Sequence, residues 1–312
     1  MPSAGATPRP DGIGLRLLDA PTSASSDPRA RLYIVDHLAP GTVIHRRIEV
    51  ANSTTSASHI RLYPAAARIA KGSFLGAAGH TPNDLSTWTS VSPRAVDISP
   101  GGRAIAVVSI AVPRDAAPGE RYGVVWAEAR STPNNRGITQ VNRVGIRIYL
   151  SVGPGGAPAA DFSIDSLTPE RSPNGRPMVV ATVHNTGGRA LDMSGSLQLL
   201  DGPGGLSAGP FPATLGTTLG IDETESVQIV LDKRLPAGPW DARIVLHSGL
   251  LEHTGRATIT FPAAGIASPV TVSPVGRGWF YLAIGLIVAL LTALGVMLVT
   301  IARRRLRPAP TI

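Results

Sequence analysis

The stretch "RVGIRIYLSV" (143–152) sets Val144, Ile146, Ile148, Leu150 and Val152 in strict alternation with Arg143, Gly145, Arg147, Tyr149 and Ser151. A side-chain period of two belongs to a β-strand with one buried face. Comparable runs recur at 45–52, 58–64, 103–113 and 121–129, and again at 176–185, 194–201, 225–233, 240–248 and 255–262. Turn-forming clusters separate them, among them "SPGG" (99–102), "NTGG" (185–188) and "DGPGG" (201–205). With 34 glycines and 28 prolines, and no amphipathic helical periodicity outside residues 279–302, the chain reads as many short strands joined by turns.

The two halves share a plan. Each has a strand running into an asparagine and a turn, "IEVANSTT" (48–55) and "VATVHNTGG" (180–188). Each later has a Pro-Gly corner, an aromatic residue and a strand, "APGERYGVVWAEA" (117–129) and "LPAGPWDARIVLHS" (235–248). The expectation is an all-β chain of two tandem immunoglobulin-like β-sandwich domains plus one C-terminal transmembrane helix. The boundaries read as a disordered N-terminus (1–12), a first domain (13–152), a linker "GPGGAPAA" (153–160) and a second domain (161–262). Residues 263–278 read as a Pro/Gly/Ser-rich stalk that spans roughly 50 Å if extended. There is no cysteine, which excludes disulfides, thiolate nucleophiles and cysteine metal sites. Both domains must therefore be held by core burial alone.

Residues 279–302 carry no charge and no proline. As a helix they would measure about 36 Å, enough to cross a hydrocarbon core of about 30 Å. Trp279, Phe280 and Tyr281 gather at one end, where amphipathic rings favour the headgroup layer, and Arg303, Arg304, Arg305 and Arg307 at the other. The positive-inside rule then predicts a single-pass membrane protein with 1–278 outside and a basic tail (303–312) in the cytoplasm. Export of the N-terminal region requires a signal, and "MPSAGATPRPDGIG" has no apolar core, so the natural precursor is expected to begin upstream.

Charge is uneven. Residues 1–150 hold 17 Lys+Arg against 10 Asp+Glu, net +7, and residues 151–270 hold 7 against 11, net −4. Of the 29 basic residues, 27 are Arg, a preference that points to a GC-rich genome. Arg46 and Arg47, with Arg29, Arg31 and Arg61, are either a solvated strand face or a basic patch for an anionic polymer. Trp88, between turn residues in "LSTWTSV", is a candidate for stacking on a sugar, whereas Trp126 shares a strand face with Tyr122 and Val124 and is assigned to the core.

Catalytic signals are weak. "GLSAG" (205–209) matches G-x-S-x-G around Ser207, but a nucleophile elbow needs a strand before it and a helix after it. The seven histidines are scattered without metal-ligand spacing, and no phosphate loop is present. The chain is expected to be no enzyme, with no cofactor, no metal and no nucleic-acid partner.

"LAPGTVIHRRIEVANSTT" (38–55) and "VDISPGGRAIAVVSIAVPRDAAPGERYGVVWAE" (96–128) resemble the peptidoglycan-binding domain of WxL-interacting proteins from Gram-positive cell surfaces. The overall layout is similar too. The resemblance implies a cell-surface protein that binds peptidoglycan through its first domain and a surface protein through its second, and the Arg- and Ala-rich composition reads as actinobacterial. Arg46, Arg47, Arg61 and Trp88 are the candidate ligand-binding residues on charge and exposure. The alternative is an adaptor or chaperone that takes an exported protein by strand addition at a sheet edge, which edges free of charge and proline would favour.

Overall fold

The computed structural model describes residues 12–21, 26–131 and 139–275. The first domain opens with β1 (Ile13–Leu17), the one-turn helix α1 (Pro28–Leu32), β2 (Ile34–Leu38), β3 (Val43–Asn52), β4 (Ser58–Ala70) and β5 (Ser73–Gly76). It continues with α2 (Asp84–Trp88), β6 (Thr89–Ser92), β7 (Ala95–Ile98), β8 (Arg103–Ala111), β9 (Gly119–Arg130) and β10 (Val141–Val152). One sheet runs β1-β3-β8-β6 and the other β2-β10-β9-β4-β5, with β7 pairing β4. Ile48, Val50, Val108 and Ile110 of the first sheet meet Ile60, Val125, Ile148 and Leu150 of the second in one core. The period-two pattern read from 143–152 is realised, with Ile146, Ile148, Leu150 and Val152 all turned inward.

The second domain contains β11 (Phe162–Arg171), β12 (Pro177–Asn185), β13 (Leu191–Asp192), β14 (Ser194–Leu200), β15 (Ala208–Pro212) and β16 (Thr218–Leu219). It ends with β17 (Thr224–Val230), β18 (Trp240–Ser248), β19 (Leu251–Ile259), β20 (Gly265–Ile266), β21 (Val270–Thr271) and β22 (Ser273–Pro274). A sheet β17-β12-β11-β20, with β21 also on β11, faces a sheet β15-β14-β18-β19-β22. In β12 and β18 every second residue is buried. Trp240 fills the centre, its Nε1 donating to the Pro236 carbonyl at 3.1 Å. The chain is thus all-β, with two immunoglobulin-like sandwiches in tandem and separate cores.

The shared asparagine turns have one structural cause. Asn52 is 1% exposed and its Nδ2 donates to the carbonyls of Ser56 and Ile98, while its Oδ1 accepts from Thr54 N. Asn185 is also 1% exposed and repeats this, donating to Arg189 and Gly220 and accepting from Gly187 N. Each carboxamide closes its own turn and reaches a second turn distant in sequence, after β7 for Asn52 and after β16 for Asn185. Gly187 is required because the incoming linker runs against it; a Cβ there would lie 2.4 Å from Asp161 N.

Two expectations are revised. Residues 265–274, read as stalk, pair back onto the second domain through β20, β21 and β22, and Val272 joins its core at 8% exposure. Alternating Val270 and Val272 supply enough apolar surface to hold this segment on the sandwich. The membrane helix placed on 279–302, with Trp279, Phe280, Tyr281, Arg303, Arg304, Arg305 and Arg307 around it, lies outside the described residues. Among the described residues no helix is long and apolar enough to cross a membrane.

The domains are joined through Asp192 of β13. Its Oδ1 accepts from Arg147 Nη1 (2.9 Å), Tyr149 Oη (2.8 Å) and Thr218 Oγ1 (2.8 Å), and its Oδ2 accepts from Arg29 Nε (3.0 Å). The Arg147 guanidinium lies 5.1 Å from the Tyr33 ring centre and 5.0 Å from that of Phe74, and Arg29 lies over Tyr149 at 4.8 Å. Nearby, Glu120 accepts from Ala190 N (2.7 Å) and Tyr122 Oη (2.6 Å). Burial pushes the Glu120 carboxyl above its ordinary value, against the hydrogen bonds from Tyr122 and Ala190. Replacing Asp192 with Ala strands two guanidiniums and a phenol, so we expect a loss of about 3 kcal/mol in denaturant unfolding. A larger radius of gyration by small-angle scattering should accompany it; an unchanged radius and a loss under about 1 kcal/mol would contradict the clamp.

Candidate functional site

The four residues singled out from the sequence do not converge. Arg46 and Arg47 are consecutive on β3, so they point to opposite faces of the β1-β3-β8-β6 sheet, while Arg61 is on β4 of the other sheet. Each is held by a carboxylate. Arg46 Nη2 meets Asp36 Oδ1 at 2.6 Å, and Arg47 engages Asp19 through both its backbone N (2.8 Å) and its guanidinium (2.7 Å). Burial raises the Asp36 carboxyl, opposed by Arg46, whereas the Arg47 hydrogen bonds hold Asp19 below its usual value. Trp88 closes α2, packs against the first core and carries the Arg121 guanidinium at 4.9 Å from its ring centre. A continuous basic patch for an anionic polymer is therefore not formed by Arg46, Arg47 and Arg61. Their carboxylate partners lie far away in sequence.

What does converge is a set of three arginines on one carboxylate. Glu128 of β9 is 3% exposed and accepts from Tyr63 Oη (2.6 Å), Arg130 Nε (2.8 Å) and Arg61, with Arg143 Nε 3.8 Å away. The register puts Arg61 of β4 and Arg143 of β10 directly across from it on either side. Burial alone would raise the Glu128 carboxyl, but the hydrogen bonds from Tyr63, Arg130 and Arg61 together outweigh it and hold the pKa at about 2. Beside it Trp126, expected in the core, instead lies half-buried on the outer face. Its Nε1 donates to the Ala77 carbonyl at 2.9 Å, and its ring covers Gly76 and Gly145. Arg61 also lines a cleft of about 410 Å³ with Tyr63, His80 and Arg94.

This set sits beside an open strand edge. β10 pairs with β9 along its whole length, but β2 covers only Ile148–Val152 on the other side. Gly153 N donates to Leu38 O and Ser131 N to Gln140 O. Backbone groups alternate in direction along a strand, so the N–H and C=O groups of Val141, Arg143, Gly145 and Arg147 face away from β9. Among the described residues no strand pairs with them except β2, whose Ile34 N–H donates to the Arg147 carbonyl; β1, the edge of the opposite sheet, runs alongside without a ladder. The half-buried Ile13, Leu15 and Val144 line the seam between these two edges.

β1 and β2 are edges of five residues each, and the remaining edges are closed in ways that discourage pairing. β5, β6 and β7 have four residues each, and β20, β21 and β22 two each. Pro210 and Pro212 interrupt β15, and Ala213 and Thr214 cover β17 through the Ala213–Ile229 bridge and the Thr214 N–Gln228 O bond. Ser207 lies between a 3₁₀ turn and β15, so the strand–turn–helix context of a nucleophile elbow is missing around it. Among the described residues no three His, Cys, Asp or Glu side chains are grouped to hold a metal.

No protein-family model matches the chain, and no curated protein matches it. Among solved structures, it is similar to a Salmonella enterica SafA pilin in complex with the SafB chaperone at 9% identity, covering 85% of this chain and 97% of that one, with a TM-score of 0.41. It is also similar to the YadV chaperone (10% identity, 78% and 99% covered, TM-score 0.40) and to the Pseudomonas aeruginosa CupB2 chaperone (13%, 73% and 97%, 0.36). These findings correct the resemblance to WxL-interacting proteins: no family model carries it, and the similar structures named above are chaperones, one of them in complex with a pilin. With it fall the peptidoglycan or cell-wall partner and the Gram-positive, actinobacterial cell-surface placement. The single-pass membrane placement is not carried further: its segment lies outside the described residues, and among the described residues no helix is long and apolar enough to cross a membrane.

Glu128 gives the site a pH signature. Its folded pKa of about 2 lies below the ordinary 4.5, so its stabilising contribution is complete above pH 4.5 and is lost as pH falls toward 2. Urea unfolding should show this loss in the natural chain, and Glu128→Gln should be less stable at pH 7 with a flatter profile between those values. An unchanged slope in the variant would assign the acid sensitivity to other groups.

Proposed function

We propose that the chain is a non-enzymatic adaptor or chaperone that holds a protein partner by taking an extended segment of it beside β10. The observation that supports this reading is the edge formed by Val141–Gly145 and the Arg147 N–H, which no described strand pairs although β1 runs alongside it. Strand addition supplies affinity from main-chain hydrogen bonds and specificity from alternate side chains. The edge already has both halves of such a site: outward backbone groups at Val141, Arg143 and Gly145 with the Arg147 N–H, and half-buried Ile13, Leu15 and Val144 beneath them. The charges on this edge, Arg143 and Arg147, lie on the outer face and leave the seam apolar. Arg147 is committed to Asp192.

The test is site-specific photo-crosslinking from Asn142 of the full chain in its own cells, with the same probe at Ser273 on the β22 edge as control. Val141→Pro removes an N–H that points to the open side and costs no bond to β9. The expected result is capture of a protein from Asn142 but not from Ser273, reduced about fivefold by the proline as one main-chain hydrogen bond is lost. No capture, equal capture from both positions, or capture insensitive to the proline would overturn the reading.

A further inference from the structure

We infer that the segment added beside β10 presents acidic side chains on its outward face, one of them opposite Arg143, and apolar side chains toward Val144 and Ile146. The inference rests on the strand-addition reading and names the partner chemistry that this edge selects. Three guanidiniums, Arg61, Arg130 and Arg143, share the single carboxylate of Glu128, leaving a formal surplus of +2 on this face. Glu128 is already saturated by Tyr63, Arg61 and Arg130. Arg143 stands 3.8 Å from it, beyond hydrogen-bond length, and is the guanidinium nearest the open edge. The other carboxylate on this part of the face, Asp97, accepts from His59 at 2.8 Å and lies on β7, separated from β10 by β4 and β9.

Register fixes where the partner's charge must sit. A residue directly across an added strand lies about 5 Å from its neighbour, close enough for opposite charges to attract and like charges to repel. The next outward position faces Gly145, where the Trp126 ring lies across the strand; a Cβ on Gly145 would come within 2.7 Å of it. The position after that faces Arg147, whose charge Asp192 already neutralises at 2.9 Å. The unmet positive charge is therefore concentrated at the Arg143 end. On the inward side, Ile146 is 3% exposed and Val144 is half-buried, so an incoming side chain there meets only apolar surface.

The experiment measures binding of fluorescent ten-residue peptides to the full chain by anisotropy. The probes alternate Val with Glu, with Gln or with Lys, so every two-residue shift of register presents the same outward face, and the apolar seam favours the registers that turn Val inward. A fourth peptide is the Val/Glu sequence N-methylated at every residue, which has no N–H to donate to a β-ladder from either edge. The Val/Glu peptide should bind about fivefold tighter than Val/Gln, and Val/Lys weakest. The gap should narrow at about 0.5 M salt and in Arg143→Gln. Equal binding of Val/Glu and Val/Gln, with N-methylation abolishing the binding of Val/Glu, would overturn the acidic preference and leave strand addition standing. Binding of none of the peptides, or undiminished binding of the N-methylated one, would overturn strand addition and this inference with it.

Discussion

The arrangement of the two domains depends on one half-hidden carboxylate. Asp192 takes donors from Arg29, Arg147, Tyr149 and Thr218, three of which belong to the first domain or its sheet face. A desolvated carboxylate is costly unless its lone pairs are filled, and here they are filled from both domains at once. Undocking the domains would leave two guanidiniums stacked on Tyr33, Phe74 and Tyr149 without a counter-charge. The aromatic cluster supplies apolar area, and the ion pairs fix its orientation.

β10 links this clamp to the candidate site. Its C-terminal half, with Arg147 and Tyr149, lies between β9 and β2 and beneath the second domain. Its N-terminal half is hydrogen-bonded to a strand on one side only. A strand this long, anchored at one end, holds its free edge straight and in register at no further cost, because β9 pairs with every residue of it. Glu128 adds a second constraint by gathering Arg61, Arg130 and Arg143, which would otherwise repel one another across three strands.

Much of the sheet structure was legible because alternation is a local signal. The runs at 143–152, 176–185 and 240–248 fall within β10, β12 and β18, and both asparagine turns proved to be built alike. β11 escaped because a register shift between Ile164 and Ser166 breaks its alternation. α1 and α2 are single turns defined by capping at Asp27 and Asn83 rather than by periodicity. The short strands in 265–274 were hidden by small residues typical of linkers. The site itself was the least legible part. Arg61 finds Glu128 67 positions away, and Arg29 finds Asp192 163 positions away, so charge counts along the chain showed a basic region but not its neutralisation. An unpaired edge is equally invisible in sequence, since it is defined by the strand that is missing beside it.

The most direct test is amide hydrogen exchange on the full chain, free and bound to the protein captured at Asn142. Arg143, Gly145 and Arg147 should exchange rapidly in the free chain, because their N–H groups face no strand, and slow by about a hundredfold in the complex. Amides of β15 and β17 should be unaffected. A bound complex in which these three amides exchange as freely as before would contradict strand addition at β10.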